Sequence, residues 1–159
     1  MTDPKQVRIL IVDDDETICK SITTALEEEG YIADAAENGQ AAIRRSENNV
    51  YNVALIDIRL PDMDGVQLLT SLKETTPKMV KIIITGYPTL QNAVDAVNRG
   101  ANAYILKPFD VGKVLKTIEQ QLVKQKEEKR YSQEKVAEFI ETRVKELDTQ
   151  NEIWCQKRN

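Results

Sequence analysis

Five short apolar runs recur along the chain, at Val7 to Val12, Tyr31 to Ala36, Val53 to Ile56, Val80 to Ile84 and Ala103 to Leu106, each followed by a longer amphipathic stretch. Several are β-branched and apolar throughout, the pattern of strands covered on both faces. The segments between and after them, 15–29, 38–47, 64–75, 89–99 and 110–122, space their apolar residues as helices do. Asp64 is placed to cap one helix, and Gly30 and Gly100 follow the ends of two others. Strict alternation of strand and helix implies parallel strands joined by right-handed crossovers. The expected fold class is therefore α/β: a doubly wound (βα)5 unit with a five-stranded parallel sheet. In such sheets ligands sit at the carboxyl ends of the strands.

After about residue 122 the alternation stops. KQKEEKR at 124–130 is charged and lacks Gly and Pro, so it continues a helix rather than forming a flexible linker. A heptad frame follows, with Ala137, Val144 and Asn151 at one core position and Ile140, Leu147 and Trp154 at the other. One domain plus an extension is expected: residues 5–122 form the α/β unit and residues 123–159 a long C-terminal helical extension. Its stripe suits a coiled coil that makes a homodimer; a solvated helix and a fold-back onto the α/β unit are the alternatives.

Composition narrows the function. There is no histidine among the 159 residues, which removes the usual general base and zinc ligand. A phosphohistidine, if one is used, must come from another protein. Cys19 and Cys155 share no ligand spacing and are expected to be reduced thiols. No apolar run approaches bilayer length, and MTDPKQVR at the N-terminus lacks the apolar core of a signal peptide. A cytoplasmic protein without membrane insertion is expected. The net charge is −4, and neither part of the chain carries a basic surface for direct nucleic-acid binding.

The strand ends are polar, each after an apolar run: Asp13, Asp14 and Asp15, then Asp57, then Thr85 and Gly86, then Lys107 before Pro108. Carboxylates gathered at one sheet edge repel, and a hard cation with oxygen ligands, Mg2+, is the simplest compensation. Asp57 could then act as a nucleophile toward a phosphoryl group, with Lys107 supplying an ammonium, Thr85 a hydroxyl donor and Gly86 freedom from bulk. Singly, each residue has a plainer explanation. An acidic triplet can be a solvated turn with a helix cap, Asp57 an ordinary strand end, Lys107 an exposed turn lysine, and Thr85 a β-branched strand terminus. Their joint placement favours chemistry.

ILIVDDD, LIDIRLPDMDG, IIITGY and YILKPFD, in that order, resemble the signature blocks of response-regulator receiver domains, and the resemblance covers residues 5 to about 122. It implies the flavodoxin-like fold and phosphorylation of Asp57 by a partner sensor histidine kinase. The implied metal set is Asp14, Asp57 and the backbone carbonyl of Arg59, with Asp13 contributing through water. It further implies that Thr85 and Lys107 move onto the phosphoryl group, that Tyr104 turns inward with Thr85, and that the Lys107–Pro108 bond is cis. The face made by helix four, strand five and helix five would select a downstream protein. Arg59 and Tyr87 occupy positions that tune dephosphorylation in the family. Asp62 and Asp64 are expected to be loop and cap residues, and Asp15 lies outside the pattern.

The expected role is thus a two-component response regulator: a signalling domain that catalyses only its own phosphotransfer and dephosphorylation, acting by phosphorylation-dependent protein binding. The alternative is the receiver and dimerisation part of a transcription regulator whose DNA-binding domain is absent from this chain. An aspartate-dependent phosphatase is disfavoured because Arg59 stands where such enzymes place a second acid.

Overall fold

The computed structural model describes residues 7–75 and 77–158, the side chains of 153 and 155–158 excepted. Residues 5 and 6 of the expected domain start and the thiol of Cys155 lie outside the described residues. In chain order the elements are β1 (Arg8–Val12), α1 (Glu16–Glu28), β2 (Ile32–Ala36), α2 (Gly39–Asn48), β3 (Val53–Asp57), α3 (Gly65–Ser71), β4 (Val80–Thr85), α4 (Leu90–Asn98), β5 (Ala103–Leu106) and α5 (Val111–Arg158). The strands pair in parallel in the order β2-β1-β3-β4-β5. The fold is the doubly wound, flavodoxin-like α/β arrangement, with a long C-terminal helix.

Alternating strand side chains build two cores. Ile9, Ile11, Val53, Leu55, Ile82 and Ile84 pack with Ile22 and Leu26 of α1 and with Val114 and Ile118 of α5. Leu10, Val12, Ala54, Ile56 and Ile83 pack with Ala42 of α2, Leu68 and Leu69 of α3 and Ala96 of α4. Each fully buried aliphatic side chain contributes about 1.5 to 3 kcal/mol, which makes these two layers the main support of the sheet.

Register is pinned by two asparagines, one before β3 and one before β5. Asn52 accepts the Arg8 N–H on Oδ1 at 3.1 Å and donates its own N–H to the Arg8 carbonyl at 2.8 Å. Asn102 repeats the pattern on Lys81, at 2.9 and 2.7 Å. In each case the amide side chain extends the ladder beyond the strand start.

Helix α3 ends at Ser71, short of the expected 64–75. Leu72 turns extended (φ −69°, ψ 142°) and buries its side chain, and the Lys73 N–H bonds Ser46 Oγ at 3.3 Å. The Leu69 carbonyl left at the helix end accepts a hydrogen bond from the buried ammonium of Lys81, whose pKa burial lowers.

Tyr51 is fully buried under α2 and donates its hydroxyl to Asp34 Oδ2 at 2.7 Å. Burial, then the bond to Asp34 and its charge, push the phenol up to about 12 from its ordinary 10. The folded state thus favours the neutral phenol, so this contribution is complete below pH 10 and is lost as pH rises through 12. Tyr51→Phe is expected to lose about 2 kcal/mol at pH 7, as for a hydrogen bond to a charged group. Its urea midpoint should then decline less steeply than that of the parent above pH 10. Equal declines would remove Tyr51 as the source of alkaline sensitivity.

The chain divides into two compact units, Met1–Gln125 and Lys126–Asn159. Gln125, buried at the end of the first, donates from Nε2 to the carbonyls of Asn52 at 3.0 Å and Lys78 at 2.8 Å. The second unit is helical throughout its described residues, with Val136, Phe139, Ile140, Val144 and Leu147 exposed. Among the described residues, no helix is long and apolar enough to cross a membrane.

Candidate functional site

The acidic triplet after β1 divides by role. The Asp13 N–H bonds the Ala36 carbonyl at 3.2 Å, which carries the β2 side of the sheet one residue past β1 and buries Asp13. Asp14 is exposed. Asp15 caps α1, accepting the N–H groups of Thr17 at 2.9 Å and Ile18 at 3.2 Å. Asp57 is the last residue of β3, neighbour to β1. One carboxylate oxygen from each of Asp13, Asp14 and Asp57 lies within 4.8 Å of the others.

Lys107, following β5, reaches across this group: its Nζ donates to Asp13 Oδ2 at 2.9 Å and to Asp57 Oδ2 at 3.1 Å. Its own N–H bonds the Thr85 carbonyl at 2.8 Å, and the Lys107–Pro108 peptide bond is cis. One ammonium against three carboxylates leaves the cluster short of positive charge. Burial raises the pKa of Asp57; Lys107 pulls it down, Asp13 pushes it up, and the Arg59 N–H at 3.3 Å opposes the rise. Burial by itself would lower Lys107, but its bonds to Asp13 and Asp57 and their charges together hold it above the ordinary lysine value. The donor set here, all oxygen with one exposed carboxylate as an entrance, fits a hard cation such as Mg2+.

Thr85 is fully buried, and its hydroxyl oxygen accepts the Tyr87 N–H at 3.0 Å. Tyr104 is half-buried against the α2, α3 and α4 layer, and its hydroxyl is buried without a hydrogen-bond partner. The Arg59 guanidinium stacks on the Tyr87 ring at 3.5 Å from its centroid, a cation–π contact not anticipated from sequence. On α4 and β5, Leu90, Val94, Val97 and Leu106 are exposed. Cys19 is buried with its thiol donating to the Asp13 carbonyl at 3.3 Å. Burial, then the charges of Asp13 and Asp15, push that thiol up to about 11, which keeps it protonated and a poor nucleophile.

Steric demand falls on a different glycine from the one singled out in the sequence. A Cβ at Gly86 would meet the Lys107 side chain at an ordinary 3.6 Å. A Cβ at Gly65 would lie 2.0 Å from the backbone oxygen of Asp57. Asp64 caps α3 through the Val66 N–H at 2.8 Å, whereas Asp62 bonds the start of α2, an arrangement no local pattern announces.

The profile described as "Response regulator receiver domain" matches residues 9–119. The chain is 36% identical over 118 residues to "Transcriptional regulatory protein ZraR" of Klebsiella oxytoca, covering 74% of this chain and 27% of that protein. It is 32% identical over 147 residues to "DNA-binding transcriptional regulator NtrC" of Proteus hauseri, covering 92% and 31%. It thus spans about a quarter to a third of the length of these curated relatives. Among solved structures, a CheY-like response regulator receiver domain protein from Methanospirillum hungatei JF-1 superposes with a TM-score of 0.74 at 43% identity, covering 77% of this chain and 98% of that one.

Proposed function

The chain belongs to the response regulator receiver domain family, and on that premise we propose that Asp57 accepts a phosphoryl group from the phosphohistidine of a sensor histidine kinase in the cytoplasm. The observation that carries this is the meeting of Asp13, Asp14 and Asp57 with the Lys107 ammonium at the ends of three different strands. In the step, an oxygen of Asp57 attacks phosphorus and the P–N bond breaks. Its electron pair stays on the imidazole of the kinase, and Asp57 becomes an acyl phosphate.

Asp14, Asp57 and the backbone carbonyl of Arg59 would hold Mg2+, with Asp13 acting through water. When bound, the ion offsets charge on the transferring oxygens. Lys107 is already within hydrogen-bond distance of the attacking carboxylate and can follow its charge onto the phosphoryl group. Thr85 must exchange its present bond with Tyr87 to donate there, and Tyr104, two residues before Leu106, the strand partner of Thr85, has a buried hydroxyl without a partner and would respond. An unpaired buried hydroxyl costs roughly 1 to 3 kcal/mol, an energy large enough to bias two states. The exposed apolar side chains of α4 and β5 would then bind a downstream protein. Incubation with Mg2+ and acetyl phosphate is expected to add one phosphoryl group to the intact protein. An unchanged mass would remove this reading.

A second reading is favoured by the printed names of the curated relatives: the receiver of a transcription regulator whose DNA-binding part lies outside this chain. Both readings assign the second unit to dimerisation by a second copy. Ile140, Val144 and Leu147 expose an apolar stripe, and Asn151 at a core position sets register. In a parallel pair of helices, Arg143 on one copy faces Asp148 on the other, so charge and stripe agree. Light scattering should report a dimer, and Ile140→Lys with Leu147→Lys a monomer. A monomeric parent protein, with and without a beryllofluoride mimic, would contradict the pairing.

A further inference from the structure

We infer that Asp62 is a positioning residue: by clasping the N-terminus of α2 it holds the segment between β3 and α3 in place, and so sets how tightly the acidic site binds Mg2+. The inference rests on the phosphoacceptor reading above and adds to it a control point that touches none of the reacting groups.

The segment is closed at its base. The Gly65 N–H donates to the Ile58 carbonyl at 2.7 Å, and Arg59 and Asp64 form an isolated antiparallel bridge. Closing the base makes residues 58–64 a small ring whose orientation depends on what holds its tip. Asp62 is at that tip. Its Oδ1 accepts the Gly39 N–H at 2.8 Å and its Oδ2 the Gln40 N–H at 2.9 Å, across more than twenty residues of chain. These are opening N–H groups of α2, which have no partner within the helix, and a carboxylate there also meets the positive end of the helix dipole. Asn38 already caps α2 through the Ala41 N–H at 2.8 Å, so Asp62 takes the donors which that cap leaves over.

Packing reinforces the clasp. Met63 lies over Gly39 so closely that a Cβ there would sit 2.3 Å from its sulfur. Asp62 is exposed, so burial does not dictate its position, and the two backbone bonds hold its carboxyl below the ordinary aspartate range. Inside the ring, the Arg59 N–H points to Asp57 Oδ1 at 3.3 Å. Releasing the tip frees the ring to turn about its base, and the Arg59 peptide turns with it.

The test uses the whole chain with Asp62→Ala and Asp62→Asn, titrated with Mg2+ alone by calorimetry, alongside amide hydrogen exchange. Asp62→Ala is expected to weaken Mg2+ binding about tenfold, the scale seen when groups that orient metal ligands are removed, and to speed exchange at Gly39, Gln40 and Arg59. Asp62→Asn keeps one acceptor oxygen and should fall between. Faster exchange at Gly39 and Gln40 with unchanged Mg2+ affinity would make Asp62 only a helix cap and overturn the inference. A parent protein that binds no Mg2+ in the same titration would overturn the phosphoacceptor reading and this inference together, so the two failures are told apart by the parent protein.

Discussion

Asp57→Ala is expected to abolish the gain of a phosphoryl group from acetyl phosphate while leaving the chain folded. Alanine removes the only carboxylate at the end of β3, and Asp13 and Asp14 come from a different strand, so neither can take its place in line with the same phosphorus. Without Mg2+ the substitution also relieves strain. Asp57 is buried beside Asp13 and within reach of Asp14, and its carboxylate is opposed by burial and by Asp13. Lys107 keeps its 2.9 Å bond to Asp13 when Asp57 is gone, so the ammonium is not stranded. The melting temperature without metal should therefore equal or exceed that of the parent, and any stabilisation by Mg2+ should shrink, because the cluster loses one of its three carboxylates. Intact mass and thermal melts with and without Mg2+ check both parts. A mass gain that survives in Asp57→Ala would move the phosphoacceptor elsewhere and sink the assignment.

The order of elements was legible because three inner strands buried on both faces, flanked by two half-buried edge strands, leave apolar runs too short for helices, and Gly and Asp punctuate the helix ends between them. The strand-end residues Asp13, Asp57 and Lys107 were legible for a related reason: a polar residue directly after an apolar strand in a parallel sheet has one place to go. What escaped was set by contacts distant in sequence. The early end of α3 depends on Leu72 finding the core and on Ser46 receiving the Lys73 N–H, neither of which is encoded within the helix. The Arg59–Tyr87 stack joins side chains that follow two different strands; the sequence marks each position by resemblance but not that the two side chains meet. The grip of Asp62 on α2 looks in sequence like one more acid in a loop. The long helix was legible in outline, since charge without Gly or Pro favours continuation, but a stripe of exposed apolar residues specifies a partner only through the geometry of that partner.

Gly65→Ala is expected to damage the protein more than any other single methyl group added near the site. The new Cβ would lie 2.0 Å from the Asp57 oxygen and 2.8 Å from both the Asp57 carbonyl carbon and the Ile58 Cα. All three are backbone atoms, so no side-chain rotation relieves the contact. Either α3 moves away from the end of β3 or the Asp57 peptide turns. The first separates Val66, Leu68 and Leu69 from the core they share with Ile56; the second breaks the Gly65 to Ile58 hydrogen bond and misaims the Asp57 carboxylate. Alanine has the better helix propensity by about 1 kcal/mol, but overpacking of this kind costs about 3 kcal/mol, so the clash wins. Urea unfolding should show the loss as a lowered midpoint, and phosphorylation by acetyl phosphate should slow in the fraction that remains folded. Gly86→Ala is the control, because its methyl group would meet Lys107 at an ordinary 3.6 Å. If the two variants unfold at the same urea concentration, the tight approach of α3 to Asp57 is not what holds the site in shape.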